Sequence, residues 1–184
     1  LDRQGVKPGG YRVVVPLRIG NQGIGVDDLD PGGSDPLRCG VGVVLATPFC
    51  EFFEHGTGLS PLAGIGMGGR GSGHMRALTQ YDDVELLAVC DVDQRRRTAI
   101  KEWIDKRYKD TRGTTYAGCD DYHDFREVLG RPDIDAVVIG TPDHWHCPLT
   151  VYAAQAGKDI YCEKPISNTI AEGRKAADAV ERYG

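Results

Sequence analysis

From residue 62 onward, short apolar runs alternate with stretches in which apolar residues recur at helical spacing. The period changes back and forth between strand-like and helix-like, which predicts parallel strands joined by crossover helices. Strands are expected over 62–66, 84–91, 114–116, 135–140 and 159–162. Helices are expected over 72–80, 94–108, 124–129 and 144–156, with a last one from about 170 to 183. The run at 135–140 is apolar without alternation, as in a strand covered on both faces. Local punctuation supports these bounds. Asp93 is placed to cap the second helix, and Asp143 the helix that follows the fourth strand. Gly157 is a left-handed stop for that helix. Thr169 to Glu172 has capping-box spacing.

The first 61 residues have a different character. They hold twelve glycines and six prolines. That composition predicts irregular chain, and no structure is assigned to it. Two short apolar patches, 11–15 and 41–46, have no evident partner. A misread frame upstream of a domain fits the composition as well as a natural leader does. The strand expected at 62–66 is itself weak, because Pro61 and Gly64 both disfavour a central strand. The expected organisation is therefore an unassigned segment over 1–61 and one α/β domain over 62–184.

Charge and composition narrow the classes. The net charge of −5 gives no footprint for nucleic acid or an anionic membrane surface. No apolar run approaches the roughly 18 residues of a membrane helix. Six cysteines, at 39, 50, 90, 119, 147 and 162, form no Cys-x-x-Cys pair. They are expected to be reduced.

The chemistry gathers where strands end. Gly66, Met67, Gly68, Gly69, Arg70 and Gly71 place glycines at positions one, three and six of a turn between a strand and a helix. Such a turn lets backbone N–H groups approach a pyrophosphate at a helix N-terminus. Asp91 lies 20 residues beyond Gly71, where this fold holds a ribose hydroxyl. Its carboxylate repels a 2′-phosphate, which favours NAD over NADP. Arg95, Arg96 and Arg97 are either a solvated helix face or partners for a 2′-phosphate.

After the fifth strand come Cys162, Glu163, Lys164 and Pro165. Lys164 there either carries a proton near the reacting end of a cofactor or is an exposed loop lysine. After the fourth strand, Thr141 and Pro142 form a rigid turn beside the cofactor groove. Of His144 and His146, one is expected to line the cleft and the other to be structural. His144, His146 and Cys147 have no further ligand cluster nearby, so no metal site is expected. His74 and His123 are expected to be packing or surface residues, and His55 is unassigned.

Taken together, residues 66–71, Cys90 to Asp93, 137–142 with His146, and Gly157 to Pro165 resemble the N-terminal domain of the Gfo/Idh/MocA family. That family takes its name from glucose-fructose oxidoreductase, inositol dehydrogenase and rhizopine catabolism. The resemblance covers about residues 62 to 184. The Glu-Lys-Pro element is more specific than the glycine turn.

The resemblance implies a Rossmann domain, a doubly wound parallel sheet, that binds NAD, with NADP as the alternative. It implies a following substrate domain, homo-oligomeric assembly and a sugar or cyclitol hydroxyl as the reacting group. Cofactor contacts are then expected from residues 66–71, Asp91, Thr141, Pro142, His146, Glu163 and Lys164. Glu163 goes to the nicotinamide-ribose end, and Lys164 is the catalytic residue, aiding proton transfer. The family's other catalytic residues come from the second domain, so residues 1–184 alone are expected to bind cofactor without turnover. An NAD-dependent glycosidase of the same superfamily is the alternative activity. A non-catalytic nucleotide-binding module is the alternative class. The location defaults to cytoplasmic, with an exported parent as the alternative.

Overall fold

A computed structural model of the chain describes residues 13–14, 60–113 and 116–183. The elements run β1 (Val13–Val14), β2 (Ser60–Ile65), α1 (Gly69–Leu78), β3 (Val84–Cys90), α2 (Gln94–Arg112), β4 (Asp120–Tyr122) and α3 (Phe125–Leu129). There follow β5 (Ala136–Ile139), a 3-10 turn (Asp143–Trp145), α4 (His146–Gln155), β6 (Asp159–Cys162) and α5 (Ile170–Tyr183). The strands form one parallel sheet in the order β1-β6-β5-β2-β3-β4. Strand β2 is central. The chain winds outward from it to β3 and β4 on one side, then crosses to β5 and β6 on the other. Sheets of this kind bind ligands at that reversal, beyond the carboxyl ends of the strands.

Each face of the sheet carries its own core. Leu62, Met75, Leu78, Leu86, Ile100, Ile104 and Tyr108 join α1 and α2 to one face. Ala63, Ile65, Val128, Ile134, Leu149, Ala153 and Val180 join α3, α4 and α5 to the other. Neighbouring residues of β2, Leu62 and Ala63, therefore serve opposite cores, as strand alternation requires. Burial of both faces explains why β5 is apolar throughout.

The expected weakness of β2 has a physical answer. A Cβ on Gly64 would stand 2.6 Å from Met75 Sδ and 2.7 Å from Met67 Cε. Glycine there lets the two methionines of the turn and α1 lie against the sheet. Pro61 is tolerated because pairing with β5 begins only at Leu62. Its carbonyl accepts the Asp135 N–H at 3.0 Å.

Several expected bounds move. The strand that pairs with β3 on its outer side is Asp120–Tyr122, where the sequence led us to expect 114–116. Tyr116 is instead a buried side chain, its ring 4.7 Å from that of Tyr108 and its hydroxyl donating to the Leu86 carbonyl. Residues 114 and 115 lie outside the described residues. Helix α1 starts at Gly69 rather than at 72. Asp143 does not cap by its side chain; it opens the 3-10 turn that leads into α4. The patch at 11–15 does have a partner, since Val13 and Val14 pair with Ile160 and Tyr161. The patch at 41–46, His55, Cys39 and Cys50 lie outside the described residues.

The caps at Asp93 and Asp124 accept N–H donors two residues on. The Arg95 side chain holds the Asp93 carboxyl below the usual carboxylate range, and the Arg126 N–H does the same for Asp124. Gly157 takes φ +70°, which ends α4. At α5 the Thr169 hydroxyl accepts the Glu172 N–H, while Glu172 reaches back to the N–H of Asn168. Cys90, Cys119, Cys147 and Cys162 are free and buried thiols, and burial pushes Cys90, Cys119 and Cys162 up to about 12. No helix among the described residues is long and apolar enough to cross a membrane.

Lys158 stands at the opposite end of the sheet from the ligand side. It is buried, and its ammonium donates to the carbonyls of Arg131 and Ile134 at 2.6 and 2.7 Å. Lys158→Met keeps the aliphatic stem but leaves both acceptors without their donor. We expect it to lower unfolding free energy by about 2 kcal/mol in a urea titration, since hydrogen bonds to charged groups carry roughly that value. A change below about 0.5 kcal/mol contradicts this role.

Candidate functional site

The glycine turn sits at the carboxyl end of β2, as the reversal of strand order requires. Gly66 has φ +88°, and a Cβ there would lie 2.6 Å from the Thr141 nitrogen. This position needs glycine on both counts. A Cβ on Gly71 would lie 1.9 Å from the Gly66 carbonyl oxygen, and one on Gly140 would lie 2.8 Å from Gly71 Cα. Three backbones thus cross with no side chain between them. Gly68 is the N-cap of α1 and no side chain caps that helix. Its first-turn N–H groups are left for an anion, with the helix dipole behind them.

Asp91 follows β3. Its carboxylate is buried and accepts the Met67 N–H at 2.6 Å through Oδ2 and the Asp93 N–H at 2.8 Å through Oδ1. The acid therefore also fixes the glycine turn itself. Each oxygen keeps a second lone pair for a hydroxyl donor. Met67 is buried, its side chain part of the core below the turn.

The three arginines of α2 differ in kind. Arg95 is exposed and paired with Asp93. Arg97 is mostly buried, its Nε 2.8 Å from Asp121 Oδ2 and its guanidinium donating to the Asp91 carbonyl. Arg96 is exposed, and its guanidinium reaches within 3.8 Å of the place a Cβ on Gly68 would take.

On the far side of the cleft, Glu163 follows β6. It is buried, with its carboxylate against α1. His74 Nε2 lies 2.5 Å from Glu163 Oε1, and Arg70 Nε lies 3.7 Å from the same oxygen. Glu163 Oε2 accepts the Lys164 N–H at 3.2 Å. Lys164 and Pro165 are exposed. Burial, then the Glu163 charge, push the Tyr161 hydroxyl up to about 12. His74 packs edge-on to that ring at 5.3 Å.

His74 is the residue that sequence reasoning missed. It was expected to pack or face solvent, yet with Gly69, Arg70 and Gly73 it lines a cleft of about 520 Å³. The available signal was its place four residues after Arg70 on one helix face. His123 remains without a role at this site.

Thr141 and Pro142 close the groove beside Gly66. The Thr141 hydroxyl oxygen is buried without a hydrogen-bond partner. His146 differs from the expectation that it lines the cleft. It is 1% exposed, its Nδ1 2.6 Å from the Pro165 carbonyl and its Nε2 2.9 Å from the Thr141 carbonyl. The imidazole ties the two loops together from inside. His144 is exposed on the 3-10 turn. Among the described residues, no cluster of three His, Cys, Asp or Glu side chains could hold a metal ion.

These residues fit a dinucleotide. Sites for added Cβ atoms on Gly69 and Gly73 meet nothing within 4 Å, so the α1 end is open. The orphaned Thr141 hydroxyl offers a polar group along the groove. A buried acid stands on each side.

Comparisons with known proteins agree with this geometry. An α-N-acetylgalactosaminidase from Shewanella oneidensis is 36% identical over 118 residues, covering 64% of this chain and 25% of that protein. A myo-inositol 2-dehydrogenase structure from Lactobacillus plantarum is 27% identical with TM-score 0.55, covering 68% of this chain and 34% of that one. A myo-inositol dehydrogenase from Lactobacillus casei, solved with NAD(H) and myo-inositol, is 25% identical with TM-score 0.57, covering 66% and 33%. The chain thus spans about a quarter of the length of the curated relatives it matches. A family model described as oxidoreductase family, NAD-binding Rossmann fold, matches residues 62–184. The chain belongs to the Gfo/Idh/MocA oxidoreductase family, and its matched residues are that family's NAD-binding Rossmann domain.

Proposed function

We propose that residues 62–184 are the cofactor half of an oxidoreductase acting on a sugar or cyclitol hydroxyl. The observation that carries this reading is convergence at one end of the sheet. The uncapped start of α1, the Asp91 carboxylate and the Glu163–Lys164 pair all follow the carboxyl ends of parallel strands, β2, β3 and β6, and Glu163 lies against His74 of the α1 cleft. Bound nicotinamide supplies a hydride acceptor or donor at its C4. The first-turn N–H groups of α1 hold the pyrophosphate, and Asp91 accepts from the adenosine ribose. Glu163 takes the nicotinamide-ribose end. Exposed Lys164 reaches the substrate side, where its amine would take the proton of the alcohol being oxidised and its ammonium would return one to the carbonyl oxygen being reduced. NAD is the cofactor. Use of NADP would call on Arg96, the α2 arginine whose guanidinium comes near Gly68.

The test needs the substrate half joined to this domain. In that protein, Lys164→Ala should lower kcat about a hundredfold, the lower range for a proton-transfer group, with the Kd for NADH unchanged. Unaltered kcat overturns the assignment. A second reading is favoured by sequence: the galactosaminidase relative is more nearly identical than the inositol dehydrogenases. In a glycosidase the hydride is returned within one cycle, so sugar is released without net NADH. Net NADH formation from a free cyclitol supports the dehydrogenase reading instead.

A further inference from the structure

Glu163 and His74 are 89 residues apart in sequence, and their contact joins the two halves of the cleft. His74 sits on α1, the helix whose N-terminus receives the pyrophosphate. Glu163 sits at the end of β6. A carboxylate on a loop at a cleft edge has several rotamers open to it. This one is held by His74 on Oε1 and by the following N–H on Oε2. Arg70, one turn before His74, adds positive charge 3.7 Å away but is 58% exposed, so solvent screens it. The His74 ring is only 17% exposed and is fixed by its edge contact with Tyr161. Of the two α1 side chains it is therefore the one that sets the carboxylate's direction.

We propose that His74 is a positioning residue for the nicotinamide-ribose end: it fixes the Glu163 carboxylate in the orientation that receives the ribose hydroxyls. This rests on the reading of Glu163 given under Proposed function. His74 does not touch the reacting atoms. It acts by preorganising the acceptor before the cofactor arrives, so that binding need not order it. The same contact links α1 to the loop that follows β6.

The test compares two probes on the 184-residue chain, NADH and ADP. ADP carries the adenosine and pyrophosphate but lacks the nicotinamide ribose. His74→Phe keeps the ring against Tyr161 and removes the donor to Glu163. The expected result is a rise of about tenfold in the NADH Kd, the scale of one charge-assisted hydrogen bond, with the ADP Kd unchanged within about twofold. His74→Gln places an amide N–H near the old Nε2 and should restore most of the NADH affinity. Equal weakening for both probes means general damage to α1 and overturns the proposal. Unchanged NADH affinity in His74→Phe overturns it as well, while leaving the dinucleotide site intact. If the unsubstituted chain binds ADP and not NADH, the reading of Glu163 fails together with the proposal.

Discussion

Gly71→Ala should abolish NADH binding and destabilise the domain by about 3 kcal/mol, the upper range for overpacking. The new Cβ would stand 1.9 Å from the Gly66 carbonyl oxygen and 3.0 Å from its carbon. Both are backbone atoms, so no side chain can swing aside. Gly66 cannot retreat either, since its own Cβ position is already filled by the Thr141 backbone. Nor can α1 lift away freely, because Met75 is packed in the core beneath it. The melting temperature should fall by on the order of 10 °C. Gly73→Ala is the internal control. It has open space around the added methyl and lies within the same helix. Its stability should rise by up to about 1 kcal/mol, the helix-propensity difference. If the two substitutions behave alike, the close approach of α1 to the turn is wrong.

The second large effect belongs to Asp91. Asp91→Ala should lower NADH affinity about a hundredfold and also cost about 2–4 kcal/mol of stability. The cost comes from leaving the Met67 and Asp93 N–H groups without acceptors, the first of them buried. Asp91→Asn is not a conservative remedy. Two N–H donors face the side chain, and an amide offers one oxygen and one NH₂. One donor would then meet another, so an intermediate loss is expected. Removing the charge also removes its repulsion of a 2′-phosphate. The preference for NADH over NADPH should therefore narrow in both variants. Isothermal titration with the two cofactors, beside thermal melts, separates the parts. A full loss of affinity with no loss of stability would contradict the dual role.

Local signals in the sequence reached much of this. The Asp93 cap and the Gly157 stop act through neighbours in sequence and are where they were expected, and the glycine turn and Asp91 were legible from their spacing alone. The resemblance carried the family and its fold, which the match over 62–184 bears out. What was hidden depends on partners far along the chain. Strand β4 reads Asp-Asp-Tyr, with two exposed acids at the sheet edge, so it carries no apolar alternation. The threonines and tyrosine at 114–116 had more strand character, but Tyr116 buries its ring against Tyr108 instead. His146 stood among the cofactor contacts only through the family resemblance. Its ring instead turns inward to a carbonyl 19 residues away. His74 gave no local hint of Glu163. Gly64 looked like a defect until Met67 and Met75 were seen against it.

The central claim is that one cleft, bounded by the glycine turn, Asp91 and Glu163, seats NAD. Calorimetric titration of the 184-residue chain with NADH, and in parallel with NADPH, tests it most directly. The account predicts one NADH per chain, bound at least about tenfold more tightly than NADPH, because it assigns the Asp91 carboxylate to the adenosine ribose, where it would repel a 2′-phosphate. No heat from either cofactor at millimolar concentration, or NADPH bound as tightly as NADH, would contradict it.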